Sequence, residues 1–464
     1  MVSGWVTHRK YGLGRVVRAR YDGLEVLVEF ADGRPKWVHR PDLQRAKVRD
    51  SAPALPSSPS PVSSSTQTPQ RPLPKPRPSP LTVPDGGVAC TSNEFLARRM
   101  IEAFRMGVVP QDCIGQFIFG RQAEIATMNG WLSSGDQRLS FVVGEYGTGK
   151  THFLEWIARR ALAQGYLVSR VNTDPAGTPF HKPKRIWCEI ASSLQYAPGW
   201  QDNDLSARGF RDLVRDLCRR GRLYDHALFS HVADHAENEL VWDWIEGKES
   251  VVRPWVSDEY WYSQLPGLYP FSTAVNQYTN LMSGLGWAAH EALGMAGLLV
   301  IIDEAESVAS VDYTYQLGKG LNTLEAILRL ATDDQELGST VDDLRRSGLD
   351  YCRVGRPIPF VYRYPARTKV VVAFTEQVFD NGMQGVTDVE LTPLDDAALG
   401  AACAEICTRY AVAYGVHPSR IDPTSILSRV RGSSGMTRMF VKACVEALDI
   451  ARFGSDTRVT RKPR

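Results

Sequence analysis

The stretch "LSFVVGEYGTGKTHFLEWIARRA" at residues 139–161 narrows the possible folds more than any other part of the chain. A short, mostly apolar run, 139–143, meets three glycines, and a helix-forming segment starts at Lys150. A buried strand that turns through glycines into a helix brings unpaired N–H groups and a positive dipole end to one point. Glycine costs backbone entropy and packs nothing, so its gain here must lie in close backbone approach to a ligand. "GEYGTGKT" satisfies G-x-x-x-x-G-K-[ST] at Gly144, Gly149, Lys150 and Thr151. In that pattern loop N–H groups cradle phosphate oxygens, the lysine reaches the β- and γ-phosphates, and the hydroxyl ligates Mg²⁺. The expected cofactor-binding residues are Gly144, Glu145, Tyr146, Gly147, Thr148, Gly149, Lys150 and Thr151.

A second segment, "LLVIIDEAES", ends an apolar strand in Asp303 and Glu304. An aspartate there can order a water on the Mg²⁺ held by Thr151, so Thr151 and Asp303 form the expected metal pair. Glu304 is the expected general base for the attacking water. Alone, Asp303 could equally be a helix N-cap; the phosphate loop upstream favours catalysis. The acidic pair favours hydrolysis over transfer to a protein acceptor, and the sequence contains no kinase catalytic-loop set. Thr375 follows the strand "KVVVAF" and is expected to orient the lytic water or touch the γ-phosphate, the alternative being a strand-end threonine bonded to backbone. Arg438, in "GSSGMTRMFVKACVEAL", is expected to reach the γ-phosphate from a lid, the alternative being a surface arginine. The catalytic set is thus Glu304, Lys150, Thr375 and Arg438. An arginine from a neighbouring subunit would complete such a site. Arg345, Arg346, Arg353, Arg356, Arg363 and Arg367 are available, and nothing in the sequence selects one.

Short apolar strands at 139–143, 166–172, 298–302, 369–374 and 386–391 alternate with helical segments. This predicts an α/β fold with a mostly parallel sheet covered on both faces, its site at the carboxyl ends of the strands. Residues 1–49 read instead as a small β-module. "GRVVRARY", "LEVLVEF" and "PKWVHR" are separated by Asp22-Gly23 and Asp32-Gly33, strong hairpin signals, and an SH3-like barrel is expected. Eleven prolines and eight serines in 51–85 mark a disordered linker, 50–86, with too little apolar content for a core. The remaining expected boundaries are an ATPase core at 87–394, with a helical insertion at about 185–296, and a helical lid at 395–464.

Residues 1–84 carry 14 Lys/Arg against 6 Asp/Glu, which leaves −6 for the remainder of a chain of net charge +2. The basic end can meet DNA or simply be a solvated surface. The longest apolar run, 294–302, has 9 residues, about half of a bilayer span, so no transmembrane helix and a cytoplasmic location are expected. The N-terminus lacks the apolar core of a signal peptide. Eight scattered cysteines without CxxC pairs read as reduced packing residues. His8, His39, His152 and His181 have no companions at ligand spacing.

Gly120-Arg121 before a helix, "GEYGTGKT", "LLVIIDE", the Thr375 strand end, "VELTPLDD" and "GMTR" together resemble AAA+ ATPases of the origin-recognition and STAND-like branch. That resemblance implies a P-loop sheet of order 5-1-4-3-2 followed by a helical lid. More closely, "GEYGTGKTHFLEWIARRALAQGYLVSRVNTDP" and "FHKP" resemble the ATP-binding proteins of BREX-type phage-resistance systems, over roughly 90–450. The resemblance implies ATP at Gly144 to Thr151, Mg²⁺ at Asp303, hydrolysis by Glu304, and sensor-like Thr375 and Arg438. It also implies other defence-system proteins as partners and a nucleotide-dependent homo-oligomer. "VTHRKYGLGRVVRARYDGLEVLVEFADGRPKWVHRPDL" resembles the Tudor- or SH3-like module at the end of UvrD-type helicases, which implies docking on a protein or nucleic acid. The expected activity is an ATPase motor or switch in antiviral defence, acting on or near DNA. The alternatives are a nucleotide-gated scaffold with little turnover, or a DNA-bound loader or regulator.

Overall fold

A computed structural model describes residues 5–8, 12–20, 25–30, 35–39, 43–45, 93–108, 111–202, 206–248, 265–270, 274–311, 313–338, 362–375, 386–415, 422–430 and 436–453. The linker at 50–86, Glu376, Arg345, Arg346, Arg353 and Arg356 lie outside these residues. The chain divides into two compact units, 1–85 and 86–464.

In the first unit β1 (Trp5–His8), β2 (Gly12–Arg20), β3 (Glu25–Phe30), β4 (Pro35–His39) and β5 (Leu43–Arg45) form an antiparallel sheet of order β4-β3-β2-β1-β5. The two Asp-Gly pairs fall between β2 and β3 and between β3 and β4, which pair antiparallel. β1 and β5 pair with each other. They are four and three residues long, too short to leave an alternating pattern in sequence.

The second unit is built on five parallel strands: β6 (Leu139–Val143), β7 (Tyr166–Asn172), β8 (Gly297–Asp303), β9 (Thr368–Phe374) and β10 (Val386–Glu390). Their order is β10-β6-β9-β8-β7. In whole-chain numbering this differs from 5-1-4-3-2, because the five strands of the first unit are counted first. Counted within the sheet, from the strand before the glycine loop, it reads 5-1-4-3-2.

The central strands are apolar at nearly every position because both faces are covered. In β8, Leu298, Val300 and Ile302 enter one core, and Leu299 and Ile301 the other. β9 divides likewise, Val370, Val372 and Phe374 against Val371 and Ala373. A period of two places alternate side chains on opposite faces. The smaller core is closed by α2 (Gln122–Ser133) and α3 (Lys150–Ala163), through Met128, Trp131, Phe153 and Ile157. The larger core takes α4 (Pro183–Ser193), α5 (Phe210–Arg219), α6 (Phe229–Asp234), α7 (Glu239–Ile245), α8 (Val275–Leu293) and α9 (Thr314–Ala331). The described helices within 185–296 are therefore part of the layer that covers the sheet.

A third core joins α10 (Asp396–Tyr414), α11 (Pro423–Val430) and α12 (Met436–Phe453) with α1 (Asn93–Arg105). The apolar stripe of α1, Ala97, Met100, Ile101 and Phe104, is buried there. This differs from the boundary expected from sequence, which placed α1 with the sheet. A single amphipathic stripe needs an apolar partner, and the partner here is the C-terminal helical group.

Candidate active site

The glycine loop, Asp303 and Thr375 emerge at the neighbouring carboxyl ends of β6, β8 and β9. Gly144 follows the strand, and a Cβ on it would lie 2.8 Å from both the Leu391 carbonyl oxygen and Thr148 Oγ1. Gly147 and Gly149 have φ of 85° and 95°, left-handed values that other residues adopt at a cost of about 1–2 kcal/mol. The turn thus requires glycine at these three positions. Thr148 closes it, its hydroxyl donating to the Glu145 carbonyl at 2.9 Å. The loop passes directly into α3, so the unpaired N–H groups of that helix face the same space.

Lys150 is buried at 7% exposure and donates from Nζ to the carbonyls of Gly144 at 2.7 Å and Glu145 at 3.2 Å. It also lies 3.4 Å from Thr375 Oγ1. Thr151 Oγ1 donates to Asp303 Oδ2 at 2.9 Å, which brings together two residues 152 positions apart. Two hard oxygen donors side by side next to a glycine cradle suit Mg²⁺, which prefers carboxylate, hydroxyl and phosphate oxygens.

Glu304 continues the strand in left-handed backbone, φ 58° and ψ 37°. Its N–H donates to Asp303 Oδ1 at 3.0 Å. Thr173, just past β7, holds this turn: its N–H donates to the Asp303 carbonyl at 3.1 Å, and its hydroxyl lies 2.8 Å from the carbonyls of both Asp303 and Glu304. Partial burial and the neighbouring Glu306 and Asp303 carboxylates raise the Glu304 pKa, with Lys150 opposing. Beside the acidic pair a cavity of about 320 Å³ is lined by Thr151, Arg170, Asn172, Glu189, Asp303 and Glu304. Arg170 pairs with Glu155 of α3, and burial lowers its pKa while Asp303 opposes the shift.

Thr375 ends β9 between the loop strand and the acidic strand, and its hydroxyl donates to Glu306. Arg438 is not brought to the loop by its described contacts. It donates to the Met106 carbonyl at 3.3 Å, with its side chain over Gly107. Of the two described arginines from the 340–368 set, Arg363 pairs with Asp225 and Arg367 lends its carbonyl to Leu298 N–H.

Three residues of this arrangement were not singled out as site residues from sequence. Arg121, 6% exposed, donates to the carbonyls of Thr148 at 2.9 Å and Thr392 at 2.5 Å and pairs with Glu124. It pins the loop to the segment after β10. Its signal was the Gly120-Arg121 pair before a helix. Thr173 and Glu306 carried no signal, since their roles depend on neighbours more than 60 positions away in sequence. Among the described residues no group of three or more His, Cys, Asp or Glu is placed to hold a metal ion without a nucleotide. Six described cysteines are free thiols, and no described helix is long and apolar enough to cross a membrane.

Residues 94–205 match the family model for BREX system ATP-binding protein BrxC/D. The matched region runs from α1 through the glycine loop, α3, β7 and α4, and ends before the acidic strand. This part of the chain is therefore similar to ATP-binding proteins of BREX systems. A search of curated proteins gave no match.

Proposed function

We propose that the chain binds and hydrolyses ATP as a component of a BREX-type phage-defence system. The observation that carries this reading is the Thr151–Asp303 hydrogen bond, which joins the end of the phosphate loop to the acidic strand. Bound Mg²⁺-ATP would supply the scissile γ-phosphoryl group and the metal charge that stabilises it. The residues Gly144 to Thr151 turn N–H groups toward the phosphates, and Lys150 neutralises their oxygens. Thr151 and Asp303 are the residues that would hold the metal, which would supply charge stabilisation at the phosphates. Glu304, with its raised pKa and solvent access, takes the proton of the attacking water. Thr375 acts from between the two strands. Arg438 would act as a sensor only after the C-terminal helices move, since its present partner is the Met106 carbonyl.

The five-stranded antiparallel sheet of the first unit and the +8 charge balance of residues 1–84 support a docking module of SH3 or Tudor type for DNA or a system partner. Nucleotide-dependent self-association belongs to the same proposal: of the arginines at 340–368, the two that are described, Arg363 and Arg367, make their contacts away from the loop.

Phosphate release and ATP binding, measured on the full chain, test the reading. Lys150→Ala should lose ATP binding. Glu304→Gln should keep ATP binding while turnover falls about 100-fold or more. Turnover that survives Glu304→Gln would remove Glu304 as the base. Binding without turnover in the unmutated chain would favour the scaffold.

A further inference from the structure

In the scheme above Glu306 serves only to raise the Glu304 pKa, yet it also touches the centre of the site. It sits in the 3-10 turn Ala305–Val308, which is fixed where Ser307 Oγ donates to Thr173 Oγ1 at 3.0 Å. From that turn its Oε1 accepts the Thr375 hydroxyl proton. Its Oε2 is buried and has no hydrogen-bond partner. A buried acceptor left unsatisfied costs about 1–3 kcal/mol, so an arrangement that tolerates one is retained for another reason. On the far side of the same hydroxyl, Lys150 Nζ donates to Thr375 Oγ1.

A threonine hydroxyl has one proton and two lone pairs. Once that proton is given to a carboxylate, the hydroxyl can only accept from everything else. We infer that Glu306 is a positioning residue that sets the polarity of the Thr375 hydroxyl, so that Thr375 accepts a hydrogen bond from the lytic water, whose other proton goes to Glu304, and cannot donate to the γ-phosphate. This separates the two roles the sequence allows for Thr375. It also explains why Lys150, a pure donor, points at Thr375. The inference rests on the ATPase reading.

The test is a double-mutant cycle on the full chain with Mg²⁺ present. ATP and ADP affinities are measured by calorimetry, and kcat and KM by phosphate release. The variants are Glu306→Leu, Thr375→Val and the pair, with thermal unfolding as the check on folding. Glu306→Ala stands in if the leucine variant is unstable. Loss of the acceptor frees the Thr375 proton for the γ-phosphate. ATP should then bind on the order of tenfold tighter relative to ADP, while kcat falls about tenfold and KM does not rise. The affinity change should vanish when Thr375 is already valine, because Glu306 acts on ATP binding through that hydroxyl, whereas kcat also carries the direct effect of Glu306 on Glu304. An unchanged ATP-to-ADP affinity ratio overturns the inference alone. So does a gain that persists in the Thr375→Val background, which would mark simple charge repulsion. An unmutated chain that binds no ATP overturns the nucleotide reading, and the inference with it. Binding without turnover leaves the affinity arm to decide.

Discussion

Lys369 lies within β9, a buried strand that is apolar apart from it and Thr368, and is itself 4% exposed. Its Nζ donates to the carbonyls of Trp131 at 2.6 Å, Ser134 at 2.7 Å and Gln137 at 2.7 Å, and lies 4.5 Å above the Trp131 ring. Burial, with Arg138 nearby, lowers its pKa to about 8. The ammonium therefore gathers three carbonyls at and just beyond the end of α2, where the helical pattern of donors runs out. Lys369→Met keeps the volume and removes the donors. It should destabilise the chain by about 2 kcal/mol, read as a lower denaturant midpoint with an unchanged slope. At the same scale the glycines of the 144–149 loop were legible, because they answer a local geometric demand. Lys369, Thr173 and Glu306 were not. A lysine in "KVVVAF" reads as a strand edge, and only the fold supplies the carbonyls it meets.

Arg121 shows what a single element contributes. It leaves the start of α2, reaches the loop at Thr148 and the segment after β10 at Thr392, and so fixes the loop from behind. Arg121→Ala should weaken ATP binding about tenfold by releasing the Thr148 backbone, with calorimetry as the readout. α8 carries a different constraint. His226 is buried against it. Its Nδ1 accepts N–H bonds from Leu228 and Phe229, which leaves Nε2 to donate to the Asn280 carbonyl at 3.2 Å. Gly284 of α8 lies against the ring, and a Cβ there would come within 2.6 Å of it. Burial lowers the His226 pKa to about 4, the Asn280 contact opposing. The unfolded chain takes up this proton near pH 6.5, so stability falls as pH drops from 6.5 toward 4. The loss is on the order of 3 kcal/mol from this group. His226→Gln should flatten the pH dependence of the unfolding midpoint over that window, whatever its effect at neutral pH. The central strands β6, β8 and β9 were readable because burial on both faces makes them apolar at nearly every position. The packing of α1 on the C-terminal helices was not, since an amphipathic stripe says that a partner exists without saying which.

For the whole second unit, the strand order matters most. With the loop strand flanked by β10 and β9, and the acidic strand next beyond β9, the loop, Thr375 and Asp303–Glu304 all emerge along one edge of the sheet. Brought from positions 144 to 375, they meet because parallel strands end together. The account stands on one claim, that the loop and the acidic strand share a single metal-bound nucleotide. Calorimetric titration of ATP into the full chain, with Mg²⁺ and then with a chelator, tests it when repeated on Asp303→Ala. The account predicts that chelation weakens binding at least about tenfold in the unmutated chain, and that this metal dependence disappears in Asp303→Ala. ATP that binds equally well with and without Mg²⁺, or does not bind at all, would contradict it.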